Sequence, residues 1–217
     1  RHADSVILAL SDGLGSGVKA NLLATLTTHS AMHMLENELP LGEVVQTLTE
    51  TLPVCRVRNL ACSTFAIAQF FSQGSARIVQ FDSPPAIHLR KRKLSTVYFD
   101  ERCIDGKTIQ ETILNLENGD WVVFVSDGVI NAGIGGAYPL GWGWLEAAGF
   151  IEKNAHMNLT AEELAEKIAE TVMDLYVNSP GDDVSIVVIK ARTKETATVF
   201  TGPPENKERD KETVESF

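Results

Sequence analysis

Apolar residues recur with two different periods along this chain, and the changes of period mark its predicted elements. Residues 6–10 (VILAL) form a continuous apolar run, which predicts a buried strand. Residues 18–39 carry apolar side chains at helical spacing, and we expect Leu22, Leu26 and Met34 to lie on the face that packs against a sheet. The first two elements are therefore predicted to be a strand and a helix.

The middle of the chain changes from helix to strand. A second amphipathic segment, residues 42–52, predicts a helix that ends before Pro53, because proline lacks the N–H that a helix interior needs. Residues 65–71 and 76–81 flank a Ser-Gln-Gly turn and predict an antiparallel hairpin. Further strand-like runs lie at residues 86–90, 95–99, 108–116 and 120–126. We therefore expect a meander of antiparallel strands.

The last third of the chain is predicted to contain a capped helix and a buried strand. Thr160 and Glu163 have the spacing of a capping box, which starts a helix. Its apolar stripe consists of Leu164, Ile168, Val172 and Leu175. Residues 184–189 are apolar enough to form a central strand of a sheet. Beyond this strand the composition becomes polar, so we expect one domain over residues 1–192 and a linker or a further segment over residues 193–217.

Two segments between these elements are predicted to be loops. Residues 91–93 (KRK) are three consecutive cations, which usually form a solvated turn. Residues 132–143 are rich in glycine, as in loops that cross near a site, and Trp142 and Trp144 could anchor them.

Composition narrows the classes of partner and compartment. The chain has 217 residues, 44% hydrophobic and 22% charged, which is typical of a globular domain. Its formal net charge of -10 disfavours nucleic acid and anionic membrane surfaces as partners. Three cysteines without a C-x-x-C pair argue against a disulfide framework and suit the reducing cytoplasm. No apolar run reaches the ~18 residues of a membrane span.

Three aspartates stand at junctions between predicted strands and loops. Asp12 begins the glycine-rich segment DGLGSG, Asp127 follows an apolar strand, and Asp182 precedes the last strand. Asp-Gly is a common turn dipeptide, so each aspartate taken singly is more readily explained as a turn residue. Converging carboxylates, however, repel one another unless a proton or a cation lies between them. Together the three aspartates predict a site for a hard divalent metal.

The order and spacing of these blocks resemble the PPM (PP2C-like) serine/threonine phosphatases, and within them the bacterial SpoIIE/RsbU/RsbX branch. That branch carries a D-G-x-G-x-G-type loop, a late S-D-G and a C-terminal D-D-x-[ST]. Residues 11–20, 126–129 and 182–185 match these three blocks. The resemblance implies an α+β fold, a β-sandwich of two antiparallel sheets flanked by α-helices in α-β-β-α layers. It also implies a site for two ions, Mn²⁺ or Mg²⁺.

The resemblance assigns roles to individual residues. Asp12 would bridge the two metals, and the carbonyl of Gly13 would bind one of them. Asp127 and Asp182 would ligate the second metal, and Asp183 would be a ligand or lie just outside the ligand shell. Asp12, Asp127 and Asp182 are therefore the catalytic candidates. A water activated by the metals would attack phosphorus in line, so no covalent intermediate is required.

The chain departs from the family pattern before Asp12. Family members place another metal-binding aspartate on an upstream strand, separated from the D-G block by a hairpin. Asp4 lies only eight positions before Asp12, which leaves no room for a turn, so we do not assign it that role. We expect instead that the chain is truncated at its N-terminus, which also fits the absence of an initiating Met.

The histidines and the basic residues give weaker indications of function than the aspartates do. Eukaryotic relatives use a histidine after D-G as a general acid, and it is absent here, so we assign no role to His29, His33 or His88. The remaining candidates for a phosphate contact are Lys19, Arg56 and Arg58, for each of which surface solvation is the simpler explanation. Lys19 is favoured because it stands at a helix start, where anions are stabilised.

The leading functional hypothesis is a metal-dependent phosphatase for phosphoserine or phosphothreonine on a signalling protein, with a STAS-type anti-sigma-factor antagonist as the suspected substrate. The alternative is a non-catalytic regulator that keeps the fold without a complete metal pair. A nucleotide-binding domain is disfavoured because SDGLGSG does not fit G-x-x-x-x-G-K-[ST]. The resemblance further implies that the two predicted helices, residues 18–39 and 42–52, act as a regulatory switch.

Overall fold

The computed structural model describes residues 5–13, 15, 17–52, 54–55, 60–61, 63–156, 158–176, 182–192, 196–201 and 210–215. The chain divides into two units. The first comprises Arg1–Ser83 and Tyr98–Asn115, and the second comprises Pro84–Val97 and Leu116–Phe217. Residues 84–97 of the second unit are therefore inserted between the two segments of the first unit.

The elements of the described residues follow in chain order. They are β1 (Ser5–Gly13), α1 (Val18–Glu36), α2 (Leu41–Thr51), β2 (Val54–Cys55), β3 (Leu60–Ala61), β4 (Ser63–Phe71), β5 (Ser75–Phe81), β6 (Ile87–Arg90), β7 (Lys93–Ser95), β8 (Asp100–Ile104), β9 (Lys107–Asn115), β10 (Trp121–Val125), α3 (Asp127–Ile130), α4 (Trp144–Asn154), α5 (Ala161–Leu175), β11 (Ile186–Lys190), β12 (Thr196–Thr201) and β13 (Asp210–Glu215).

The first unit is built on a five-stranded antiparallel sheet with the order β1-β4-β5-β9-β8. The predicted β4–β5 hairpin is confirmed, with Phe65 paired to Phe81. Its loop ends at Gly74, whose φ of 90° suits glycine. Residues 96–99, which we predicted to be part of a strand, are irregular; β7 ends before them and β8 begins after them.

The two long helices of the first unit cover its core. The predicted second helix is confirmed as α2, and its Val44 and Val45 are fully buried. The buried amine of Lys107 donates hydrogen bonds to the carbonyls of Thr49 and Leu52, where α2 ends. The other buried members of this core are Ala31, Leu35, Leu41, Leu48, Phe65, Ile67, Val79, Phe81 and Ile109.

The packing face of α1 differs from our prediction. Leu22 and Leu26 are 53% and 52% exposed, and Met34 is only partly buried. The buried residues of α1 are Ala20, Thr27, Ala31 and Leu35. Small side chains allow a helix backbone to approach a sheet closely, so the first half of α1 packs through Ala20 and Thr27 and leaves Leu22 and Leu26 facing solvent.

Strand β1 is longer and less buried than predicted. It continues through Asp12 and Gly13, and only Ser5 and Leu8 are buried. Because β1 is the edge strand of the five-stranded sheet, its side chains have fewer neighbours than those of an inner strand. Asp12 is therefore the penultimate residue of a strand.

The second unit contains a six-stranded antiparallel sheet with the order β13-β12-β11-β10-β6-β7. Every residue of β10 and β11 is buried, which confirms the last apolar run as an inner strand. Helices α4 and α5 pack against this sheet, although periodicity had not delimited α4. The largest fully buried side chains of this core are Trp121, Ile87, Leu89, Ile151, Leu164 and Ile168.

The predicted capping box at the start of α5 is confirmed. The hydroxyl of Thr160 accepts a hydrogen bond from the N–H of Glu163 at 3.1 Å, and the Glu163 carboxylate accepts one from the N–H of Thr160 at 2.7 Å. The N–H and the hydroxyl of Thr160 both donate to the Glu163 carboxylate, and these two bonds hold the pKa of Glu163 below its usual range. Leu164, Ile168 and Val172 are buried as predicted.

A buried carboxylate ties the start of β10 to β6. Asp120 Oδ2 lies 3.2 Å from His88 Nε2, accepts a hydrogen bond from an Arg90 guanidinium N–H at 3.0 Å, and accepts another from the N–H of Glu117 at 3.0 Å. The side chains of His88 and Asp120 are only 4% and 2% exposed. His88 therefore has a structural role here.

Residues after 192 contribute two further strands. We expected a linker or a further segment there, and β12 and β13 extend the sheet of the second unit from β11. The described part of the chain thus has two main antiparallel sheets and five helices, which confirms the predicted α+β class. Among its described helices, none has the length and hydropathy that crossing a membrane requires.

Candidate metal centre

Asp12 sits where β1 pairs with the start of β4. It lies opposite Thr64, whose hydroxyl accepts a hydrogen bond from the N–H of Asp12 at 3.3 Å. The Ser63 hydroxyl donates to the carbonyl of Asp12 at 3.1 Å. The backbone of Asp12 is therefore fixed by side chains of the neighbouring strand as well as by the sheet ladder.

A chain of hydroxyls continues from this point to α1. Ser63 is fully buried, and its hydroxyl lies 2.7 Å from that of Ser11. Thr27 of α1 donates to Ser63 Oγ at 3.3 Å and to the carbonyl of Leu23 at 2.8 Å. The helix is thus connected to the strand that carries Asp12 through polar contacts.

Gly13 is where α1 comes closest to β1. A Cβ at this position would overlap the backbone of Ala20, including its carbonyl oxygen. Helix α1 is preceded by Gly17, whose φ of 99° favours glycine. The first glycine of the DGLGSG segment is therefore required by close packing, in addition to any role of its carbonyl.

Asp127 is the first residue of the short helix α3, and not a loop residue as predicted. The preceding residue, Ser126, connects two segments of the second unit. Its hydroxyl donates to the carbonyl of Asp183 at 3.0 Å and accepts from the N–H of Ser185 at 2.9 Å. The segments that carry Asp127 and Asp182 are therefore held together by one side chain.

Gly128 makes two close contacts, one of which depends on its lack of a side chain. A Cβ there would overlap the carbonyl oxygen of Asp183. Its own carbonyl accepts a hydrogen bond from the Tyr176 hydroxyl at 2.5 Å. Burial raises the pKa of Tyr176, and the negative charges of Asp182 and Asp127 raise it further, so this phenol stays a donor.

The carboxyl of Asp182 is affected both by its burial and by the charge of Asp127. Burial raises the pKa of Asp182, a hydrogen bond from the N–H of Asp183 at 3.0 Å opposes that effect, and the charges of Asp127 and then Asp183 raise it again. Like charges held together in this way favour a proton or a cation between them. Carboxylate oxygens are the ligands that Mg²⁺ and Mn²⁺ prefer.

Asp127 and Asp182 thus offer carboxylate oxygens of the kind that a hard cation binds. Among the residues that the structure describes, no group of three or more His, Cys, Asp or Glu side chains could hold a metal ion. Asp12 belongs to the first unit and Asp127, Asp182 and Asp183 to the second. The full ligand set therefore stays a prediction.

The other sequence candidates fall in different places. Lys19 is exposed in the first turn of α1, and its phosphate contact stays a prediction. His29 and His33 are exposed on the same helix. Arg56 and Arg58 lie outside the described residues.

The glycine-rich loop after α3 is anchored by its tryptophans, as predicted. Trp142 is buried, and its ring meets that of Phe150 edge-on, with the centroids 5.5 Å apart. The indole N–H of Trp144 donates to the carbonyl of Pro85 at 2.8 Å. Ahead of these two anchors, the loop exposes Ile134 and Leu140.

Sequence reasoning missed the residues that support the carboxylates. Ser126 was visible as the residue before Asp-Gly, and its position just ahead of a helix was the available signal. Tyr176 carries no local signal, because its contact with Gly128 joins segments far apart in the chain.

Solved structures of PP2C-type phosphatase domains share this fold. The PP2C phosphatase domain of SpoIIE from Bacillus subtilis, with a fragment of its regulatory domain, matches with a TM-score of 0.68 and 18% identity over 87% of this chain and 55% of that one. The RsbU and RsbW domains of a Mycobacterium tuberculosis protein match with a TM-score of 0.69 and 16% identity, over 90% and 56%. RsbX in complex with magnesium matches with a TM-score of 0.57 and 15% identity, over 87% and 82%.

These likenesses define the class as a PP2C-type phosphatase fold. The chain spans about half of the first of these relatives, 55% of its length. No curated protein matches the sequence significantly. The family model for stage II sporulation protein E (SpoIIE) matches residues 2–192, so the chain belongs to the SpoIIE family.

Proposed function

We propose that this chain is a metal-dependent protein phosphatase domain that hydrolyses phosphoserine or phosphothreonine on a signalling protein. Two observations carry the proposal: Ser126 holds the segments of Asp127 and Asp182 together, and burial and then the charge of Asp127 raise the pKa of Asp182. In a family of PP2C-type fold, two carboxylates on segments held together in this way are best explained as a site for a hard cation.

We assign the ligands as follows. Asp127 and Asp182 would hold one Mn²⁺ or Mg²⁺, and the carbonyl of Gly13 would hold a second such ion. Asp12 would serve as a ligand to both. The solved RsbX complex with magnesium supports the choice of metal. When bound, the two ions would supply a hydroxide near neutral pH and neutralise charge on the phosphoryl oxygens.

The chain's own residues orient these ligands. Ser126 fixes the backbone on both sides of the carboxylate pair, and Tyr176 fixes the carbonyl that follows Asp127. Asp183 contributes its backbone carbonyl to Ser126 and its charge to the field at Asp182, so we place it just outside the ligand shell.

The proposed substrate is a phosphorylated STAS-type anti-sigma-factor antagonist in the cytoplasm. Membership in the SpoIIE family supports this substrate class, as does the likeness to a structure that contains RsbU and RsbW domains. The compartment is inferred from the cysteines, whose number and spacing suit a reducing environment.

The test is hydrolysis of p-nitrophenyl phosphate and of a phosphoserine protein, with Mn²⁺ present and absent. Asp127→Asn should reduce kcat by more than about a hundredfold, since even outer partners of metal ligands are worth about ten- to a hundredfold. Asp82→Asn, at an exposed turn of the first unit, is the matched control and should keep full activity. Full activity in Asp127→Asn would refute the assignment.

One observation favours a second function, a non-catalytic regulatory domain. Within the described residues, three metal-binding side chains do not gather in one group. Calorimetric titration with Mn²⁺ separates the two functions, since the enzyme should bind two ions per chain and the regulator should bind fewer.

A further inference from the structure

Two hairpins, one in each unit, turn through two-residue loops of the same geometry. In the first unit, Ile104 of β8 pairs with Lys107 of β9, which leaves Asp105 and Gly106 as the loop. Their φ angles are 49° and 73°. Positive φ at both loop residues defines a type I′ turn, for which Asp-Gly is a favoured pair.

The hairpin of β6 and β7 in the second unit uses different residues for this turn. Arg90 pairs with Lys93, and the loop residues are Lys91 and Arg92 with φ angles of 50° and 64°. Non-glycine residues rarely adopt this conformation, and long side chains gain nothing from it locally. Lys91 and Arg92 therefore occupy a type I′ turn that Asn-Gly would form with less strain.

The charges in this turn are unequally compensated. Arg90 is bonded to Asp120, and Lys93 Nζ lies 2.8 Å from Glu152 Oε1. Arg92 donates to Nδ1 of exposed His156 at 3.2 Å, a contact that leaves its charge in place. In the part of the chain that the structure describes, exposed Lys91 has no hydrogen bond or ion pair. Two positive charges thus face solvent.

We propose that Lys91 and Arg92, which we name the basic turn, form a docking surface for an acidic segment of a partner protein. Arginine's planar guanidinium binds carboxylates with two parallel hydrogen bonds, and lysine adds a second charge. The net charge of -10 repels extended polyanions such as nucleic acid or an anionic membrane. A short acidic segment would contact the turn alone. Salt screens its repulsion by the negative charges of this chain that lie more than roughly 8–10 Å away.

The test uses a short fluorescein-labelled peptide of alternating glutamate and glycine, with binding followed by fluorescence anisotropy. The wild-type chain should bind the peptide with an affinity that falls as salt is added. The double variant K91N/R92G should bind about five- to thirtyfold more weakly, as expected for the loss of two exposed charge contacts. Its free energy of unfolding should equal or exceed that of the wild type, because Asn-Gly suits the turn.

A charge-matched variant controls for net charge. R102Q/K167Q removes two positive charges from exposed positions outside the basic turn and should keep the affinity. The proposal is overturned if the wild type does not bind the peptide, if K91N/R92G binds as the wild type does, or if the control loses as much affinity. Tighter binding to duplex DNA or to phosphatidylserine vesicles than to the peptide would also overturn it.

Discussion

The hydroxyl of Tyr176 donates a hydrogen bond of 2.5 Å to the carbonyl oxygen of Gly128. Tyr176 is the residue at which α5 ends, and Gly128 directly follows Asp127. A single bond therefore ties the C-terminal end of a fifteen-residue helix to the turn that presents a candidate metal ligand. This contact makes the carboxylate geometry dependent on the placement of α5.

Removal of this hydroxyl gives the first prediction. Tyr176→Phe should lower the free energy of unfolding by about 1 kcal/mol, because the Gly128 carbonyl loses its partner. Tyr98→Phe is the control, since Tyr98 is 83% exposed and its change should fall within about 0.5 kcal/mol. Urea denaturation measures both. Equal stability of the two variants would show that the bond adds nothing to the fold.

The second prediction contrasts two glycines of the second unit. Gly128→Ala should destabilise the protein by about 1–3 kcal/mol, since its Cβ would overlap the Asp183 carbonyl and force a backbone shift. Gly149→Ala, within α4, meets nothing within 4 Å and should stabilise by roughly 0.5–1 kcal/mol. Thermal unfolding of the two variants should therefore shift in opposite directions. Two shifts of the same sign would contradict the packing described at Gly128.

The third prediction concerns pH and the capping box of α5. Hydrogen bonds from Thr160 lower the pKa of Glu163 in the folded state, so ionised Glu163 stabilises the fold above its unfolded pKa of about 4.3. That contribution is lost as the pH falls through the lower, folded pKa. Glu163→Gln should therefore be less stable than the wild type at neutral pH and differ less from it in acid.

Urea titrations at neutral pH and in acid give this difference directly. Glu170→Gln is a suitable control, since Glu170 is exposed on the same helix and takes no part in the capping box. A difference between Glu163→Gln and wild type that stays constant from neutral pH into acid would contradict the assignment.

The fourth prediction concerns the buried carboxylate of Asp120. Asp120→Ala should lower the free energy of unfolding by about 1–3 kcal/mol, because it removes the buried carboxylate that accepts hydrogen bonds from Arg90 and from the N–H of Glu117. Asp100→Ala, on the exposed strand β8, should change stability by no more than about 0.5 kcal/mol. A small effect at both positions would mean that water replaces the carboxylate.

The elements that sequence predicts well are those set by local rules. Helix α2, the β4–β5 hairpin and the capping box at Thr160 each follow from periodicity, a turn residue or a cap, and all three are confirmed. From the sequence alone, a shared site for Asp127 and Asp182 could be predicted only from the order of the motifs along the chain. Within the second unit, Ser126 joins the segments that carry them, and the charge of Asp127 contributes to the raised pKa of Asp182.

The features that sequence missed depend on contacts between distant segments. The hydrophobic pattern predicted that Leu22 and Leu26 form the packing face of α1. In the structure Ala20 is buried instead, because α1 approaches Gly13 too closely for a larger side chain. The Thr27 contact with Ser63 fixes the same rotation of the helix. Such a choice between two helix faces depends on the shape of the partner surface, which periodicity does not encode.

The return of the chain to its first unit has a consequence for synthesis. Strands β8 and β9 supply two of the five strands of the first sheet, and they follow the β6–β7 hairpin of the second unit. On the ribosome, the first sheet cannot be completed before Asn115 has emerged. A fragment that stopped at Ser83 would leave the backbone of β5 as a bare edge open to aggregation. The two packing units are therefore not two independent gene segments.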